Sequence, residues 1–151
     1  MKKSGPNEIR DVCRAAGLAG LIFLAGGCAN GRTGKQILPA DPDVARFARA
    51  GRAAFEAGSS EKAADLYQEA LQKAEALDDT QVSAYLALNI AAAQSQAGRL
   101  EAAERAAQTA SDLAARAGTG RAAAELLRAR AAFASGALDR AESACAAAEA
   151  A

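Results

Sequence analysis

The sequence predicts an all-α fold, and three observations carry that expectation. The last proline is Pro42, so everything after it lacks the residue that breaks a helix by removing a backbone donor. Ala, Leu, Glu, Gln, Lys and Arg, all strong helix formers, dominate the same stretch. Aromatic residues make up 4% of the chain and β-branched residues are scarce, which leaves a sheet little to be built from.

The chain opens on a segment of different character. Residues 1–27 carry Lys2, Lys3, Arg10 and Arg14 against Glu8 and Asp11, then an uncharged apolar stretch from Ala15 to Ala25, then Gly26 and Gly27. Basic, apolar and small residues in that order read as a secretory signal. The 11 apolar residues are too few to span a bilayer, which takes about 20. The run Leu21-Ile22-Phe23-Leu24-Ala25-Gly26-Gly27-Cys28 resembles the cleavage site of bacterial lipoproteins. That resemblance implies removal of residues 1–27, a diacylglyceryl group on the Cys28 sulfur and a further acyl chain such as palmitate on the new amino terminus. Two or more chains hold a protein stably at a membrane, each buried methylene adding about 0.8 kcal/mol. Ala29 stands where Asp would signal inner-membrane retention, so the resemblance implies a periplasm-facing anchor in the outer membrane, with the inner membrane as the alternative.

Residues 28–40 read as the lipidated cysteine and a flexible tether, rich in Gly, Asn and Pro and without an apolar period. Gly34-Lys35 does not make a phosphate-binding loop, because Ala29 and Gln36 stand where that motif needs Gly and Ser or Thr. From residue 28 onward the chain holds 14 basic and 16 acidic residues, a balance without the basic face that nucleic-acid binding requires. With Cys13 removed and Cys28 acylated, Cys145 is left without an intramolecular disulfide partner.

The helical region, residues 41–151, starts on Asp41, which can cap free N–H groups, and Pro42, whose fixed φ suits the first helical position. Breaks at Gly58-Ser59-Ser60, Asp78-Asp79-Thr80, Gly98, Gly118-Thr119-Gly120 and Gly136 divide it into six helices of about four turns. Ala-Gly58-Ser-Ser-Glu-Lys-Ala63, Ala-Gly98-Arg-Leu-Glu-Ala-Ala103 and Ser-Gly136-Ala-Leu-Asp-Arg-Ala141 repeat a pattern at intervals of 40 and 38 residues. This pattern resembles the tetratricopeptide repeat (TPR), a helix-turn-helix unit of about 34 residues. The resemblance implies an antiparallel TPR-like solenoid of about three repeats.

With each turn glycine at position 15 of the repeat, the family's small position 8 falls on Gly51, Ala91 and Ala129, and position 20 on Ala63, Ala103 and Ala141. Position 27 falls on Ala70, Ala110 and Ala148. Position 24 is Tyr67, Ala107 and Cys145, and position 4 is Phe47, Ala87 and Glu125. Small residues let helix axes approach while bulky neighbours fill the space beside them. The unit with Phe47 and Tyr67 fits the family pattern best.

In this family the first helix of each unit lines a concave groove. Carried over, the partner-binding residues are Arg52 and Phe55, then Tyr85, Leu88 and Asn89, then Leu126, Arg130 and Phe133. Such a wall pairs acids through its arginines, hydrogen-bonds a peptide through Asn89 and stacks side chains on its phenyl rings. The competing expectation places the two phenylalanines between helices. The family's carboxylate clamp is matched by Asn89 alone, so that mode is not expected.

Catalysis has little to work with. No His is present, which removes the commonest general base and metal ligand, and no cofactor or metal is expected. Cys145 falls at a position the repeat would bury, where a thiol is inert. Glu61, Asp65 and Glu69, like Glu101 and Glu104, read as solvated helix-face neighbours. The expectation is a non-enzymatic, membrane-anchored adaptor that binds a protein of the periplasm or outer membrane within an envelope assembly. The alternative is a self-associating envelope scaffold. Its last helix, from Leu138 onward, is rich in alanine and poor in charge, and repeat arrays normally end in a polar cap; a homodimer through that helix is therefore expected. A core lined by alanine also predicts marginal stability, at about 25 cal/mol per Å² of apolar area buried.

Overall fold

The computed structural model describes residues 39–151, and the expected signal, Cys28 and nearly all of the tether lie outside the described residues. Every described residue belongs to one compact unit, Gln36–Ala151. It is all-α: α1 (Pro42–Glu56), α2 (Ser60–Ala76), α3 (Thr80–Gln96), α4 (Leu100–Ala117), α5 (Arg121–Ala134) and α6 (Leu138–Glu149). No described helix is long and apolar enough to cross a membrane.

The start of α1 is built as its sequence specifies. Asp41 Oδ1 accepts from the Asp43 and Val44 backbone N–H groups, both at 2.9 Å, and Pro42 takes the first helical position. Asp79 caps α3 in the same way, accepting from the Val82 N–H at 3.0 Å. The other helices begin without a side-chain cap.

All five turns close by one device. A residue with positive φ stands at Gly58, Asp78, Gly98, Gly118 and Gly136. The N–H of the next residue then reaches back to a carbonyl five residues earlier: Ser59 to Ala54, Asp79 to Ala74, Arg99 to Gln94, Thr119 to Ala114 and Ala137 to Ala132, at 2.9 to 3.1 Å. This closure satisfies a carbonyl that a helix end leaves open. These five residues fall 20, 20, 20 and 18 positions apart, so the backbone repeats helix by helix as well as hairpin by hairpin, with Gly120 a second left-handed residue in the fourth turn. Asp78 occupies that conformation without being glycine, which a short polar side chain tolerates.

Each helix packs on the next, and α3 also touches α5. Side chains tie alternate helices together. Arg52 of α1 donates to the Tyr85 hydroxyl of α3 at 3.0 Å. Arg99, just ahead of α4, pairs with Glu61 of α2 at 2.6 Å, and Arg140 of α6 with Glu104 of α4 at 2.9 Å. Glu61 and Glu104 thus bridge helices; Glu61 is solvated as expected, while Glu104 is partly buried. The chain therefore forms a row of odd-numbered helices beside a row of even-numbered ones.

The core lies between the rows and thins along the chain. Tyr67, Leu71, Val82, Leu86 and Ile90 fill its first half beside Val44, and Leu113 is the last large buried hydrophobic side chain. Beyond Leu113 every buried hydrophobic residue is alanine. The small positions are buried as expected at Gly51, Ala91 and Ala129, and at Ala63, Ala103 and Ala141. Gly51 has a specific cause: a Cβ there would lie 2.9 Å from two carbons of the Tyr67 ring, so α1 and α2 meet closely only because that side chain is missing. Two expectations fail at the far end, where Cys145 and Ala148 are half-buried rather than buried, because no further helix covers them among the described residues. The last two helices are also short, with 14 and 12 residues.

Candidate functional site

The eight residues expected to line one wall divide into two groups. Arg52 of α1 meets Tyr85 of α3, Leu88 and Asn89 follow Tyr85 on the same helix, and Phe55 is half-buried against the core. Leu126, Arg130 and Phe133 lie on α5, all three exposed. Phe55 and Phe133 stand at the same distance before their turn glycines, yet only Phe55 packs against the core. The expectation that phenylalanines pack between helices holds for the first and fails for the second.

In the first group the bonds are set by burial. Tyr67 is buried beside Gly51, and burial pushes its phenol above the ordinary value of 10.0, an effect that the neighbouring Arg52 partly opposes. The hydrogen bond that Arg52 donates to the Tyr85 hydroxyl raises the pKa of its guanidinium above the ordinary value, so Arg52 is a fixed cation. Asn89 donates from Nδ2 to the Tyr85 backbone carbonyl at 2.9 Å, a bond within its own helix. That engages one of the two N–H donors of the Asn89 amide within its own helix. Leu88 and Tyr85 also border a small cleft of about 90 Å³ with Ala124 of α5. The groups gathered here are a held guanidinium, a side-chain amide and a phenol edge beside an apolar floor.

Two constellations were not legible in the sequence. Glu125, at 2% exposure, accepts from Ser111 Oγ at 2.6 Å and pairs with Arg128 at 3.1 Å, and Arg128 also reaches Gln108. A buried carboxylate held by a hydroxyl and a guanidinium is a structural tie between α4 and α5. Its only trace in the sequence is the appearance of Glu at position 4, where the other units have Phe and Ala. The second is an open polar cleft of about 670 Å³ bounded by Glu101, Glu104, Arg105, Arg128, Asp139 and Arg140. Three acids and three bases balance there, and Glu104 and Arg128 are already engaged in ion pairs, so the cleft presents no net field for a charged ligand.

No group of three or more His, Cys, Asp or Glu side chains is placed to hold a metal ion among the described residues. Compared with protein-family models, curated proteins and solved structures, the chain matches none.

Proposed function

We propose that the chain is a TPR-like repeat adaptor, anchored in a membrane through Cys28, that holds an acidic segment of a partner protein along the wall made by α1 and α3. It acts without catalysis, as part of an envelope assembly on the periplasmic side of the outer membrane. The observation that carries this reading is Arg52, a cation fixed by Tyr85 at the seam of two hairpins beside Leu88 and Asn89. A guanidinium held in place loses little side-chain entropy on binding, and its fork geometry suits a carboxylate. Support for the repeat comes from the recurring turn geometry and from the small residues buried at the equivalent positions.

The test separates the wall from the anchor. Peptides selected from a random displayed library on the immobilised protein are expected to carry Asp or Glu beside apolar residues, and Arg52→Glu is expected to abolish their binding while helicity by circular dichroism is kept. Selected peptides that bind Arg52→Glu as well as they bind the parent protein would overturn the wall. For the anchor, intact-mass analysis of the membrane fraction is expected to show loss of residues 1–27 and a gain of acyl mass. Unmodified Met1 in the soluble fraction would overturn the lipoprotein reading.

A further inference from the structure

The open face at the end of the array carries a pattern that fits a copy of itself. On α5, Leu126, Arg130 and Phe133 recur at i, i+4 and i+7 and share one helix face. On α6, Leu138, Glu142 and Cys145 repeat the same spacing with an acid in the middle. Leu126, Phe133 and Leu138 are 58%, 44% and 56% exposed, three of the four exposed large hydrophobic residues among the described residues. Arg130 and Glu142 are exposed, and neither has an ion-pair partner among the described residues.

The preceding unit identifies this face as one made to be covered. Leu88 and Ala107 stand at the same offsets from Gly98 as Leu126 and Cys145 do from Gly136. Leu88 is packed against the core and borders Ala124 of the following hairpin, while Ala107 has no exposure at all. Their counterparts Leu126 and Cys145 are exposed and half-buried.

The other end of the array is a poor occupant. Asp43 and Arg46, an ion pair at 3.2 Å, stand 40 residues before Ser83 and Leu86, which the second unit buries to 1% and 0%. Head-to-tail stacking would bury that pair, at a desolvation cost that favours leaving it in water.

We propose that the α5–α6 face binds the same face of a second copy about a two-fold axis that runs parallel to the helices. Rotation about such an axis lays α5 of one copy over α6 of the other, antiparallel and at the same height. Arg130 and Glu142 each stand six residues from Gly136, so each arginine meets the glutamate of the other copy. Phe133 then faces Leu138, and Leu126 faces Cys145. Such an isologous contact closes at two copies and does not grow into a filament. This inference is independent of the peptide wall on α1 and α3.

The test is sedimentation velocity over a range of concentrations, on the full chain carrying Cys28→Ser, in nonionic detergent and reductant. A monomer–dimer equilibrium is expected. Arg130→Glu and Glu142→Arg are each expected to weaken it by about tenfold or more, since each reversal places like charges together twice in the dimer. Combining the two reversals is expected to restore the affinity to within about threefold, the signature of direct pairing in a double-mutant cycle. Both positions are exposed, so circular dichroism is expected to be unchanged. A monomer at every concentration would overturn the proposal. So would a dimer indifferent to either reversal, or one not restored by the pair, either of which places the contact elsewhere or assigns the face to another protein.

Discussion

The first and third hairpins share a backbone and differ in where they put their large side chains. In α1 and α2, Tyr67 is buried against Gly51, while Phe47 is half-buried with its ring beneath Arg46 and Lys73 at 4.9 and 5.5 Å. In α5 and α6 the interior is alanine with one buried glutamate, and Leu126, Phe133 and Leu138 are outside. Identical turns therefore hold two differently stabilised units. One is kept by large side chains packed within the hairpin, the other by a polar tie to α4.

The largest expected effect tests the packed hairpin. Tyr67→Ala removes its main buried ring and is expected to cost about 3–5 kcal/mol in chemical denaturation. Phe133→Ala, an equally large truncation in the third hairpin, is expected to change monomer stability by less than about 0.5 kcal/mol, as exposed substitutions do. Equal losses at the two sites would erase the contrast.

Next comes the polar tie. Arg128→Ala strands the Glu125 carboxylate in the interior and is expected to cost about 3 kcal/mol, whereas Glu125→Met with Arg128→Met is expected to be near neutral. A double variant as unstable as the single one would mean that packing, and not charge, holds α5 to α4.

Much of the architecture was readable in advance, because glycine, proline and aspartate act on their own neighbours. The five breaks and the Asp41 cap follow from residues within one turn of each other, while the small positions, buried at Gly51, Ala63, Ala91, Ala103, Ala129 and Ala141, follow from the repeat spacing. What the sequence hid depends on residues that meet only after stacking. Glu125 lies 14 positions from Ser111, and Arg52 lies 33 from Tyr85. Phe55 and Phe133 have the same place in their repeats, and only the neighbours brought by the fold distinguish core from surface. The same limit explains why Asn89 looked like a peptide donor. One of its two N–H donors is taken up by a carbonyl one turn earlier.

A smaller effect probes the fit that makes the first hairpin tight. Gly51→Ala sets a methyl group 2.9 Å from the Tyr67 ring and is expected to cost about 1–3 kcal/mol by overpacking. The equivalent positions in the other units already hold alanine, so the penalty is expected to shrink when Tyr67→Ala is added. A thermal-melt cycle measures that coupling.

The smallest effect is a pH dependence belonging to the first hairpin. Burial raises the Tyr67 phenol above its unfolded value of 10.0. Between those two values the native state holds a proton that the unfolded chain has lost, so stability is full below about pH 10 and falls as pH rises further. Denaturation midpoints at pH 9 to 11, the probe range set about the tyrosine reference value, are expected to decline less in Tyr67→Phe than in the parent. An identical alkaline decline would assign it to other groups.

The interior itself implies an unusual thermal profile. Of the 25 buried hydrophobic residues among the described residues, 18 are alanine, so unfolding wets little hydrocarbon for each residue released. Heat capacity rises on unfolding mainly through newly wetted apolar surface, at about 12–15 cal/mol/K per residue in ordinary domains. This chain is expected to fall below that range, with a correspondingly flat stability curve. It is expected to gain little on cooling towards an optimum and to lose little to cold, and calorimetry is expected to show its heat unfolding as a low, broad peak.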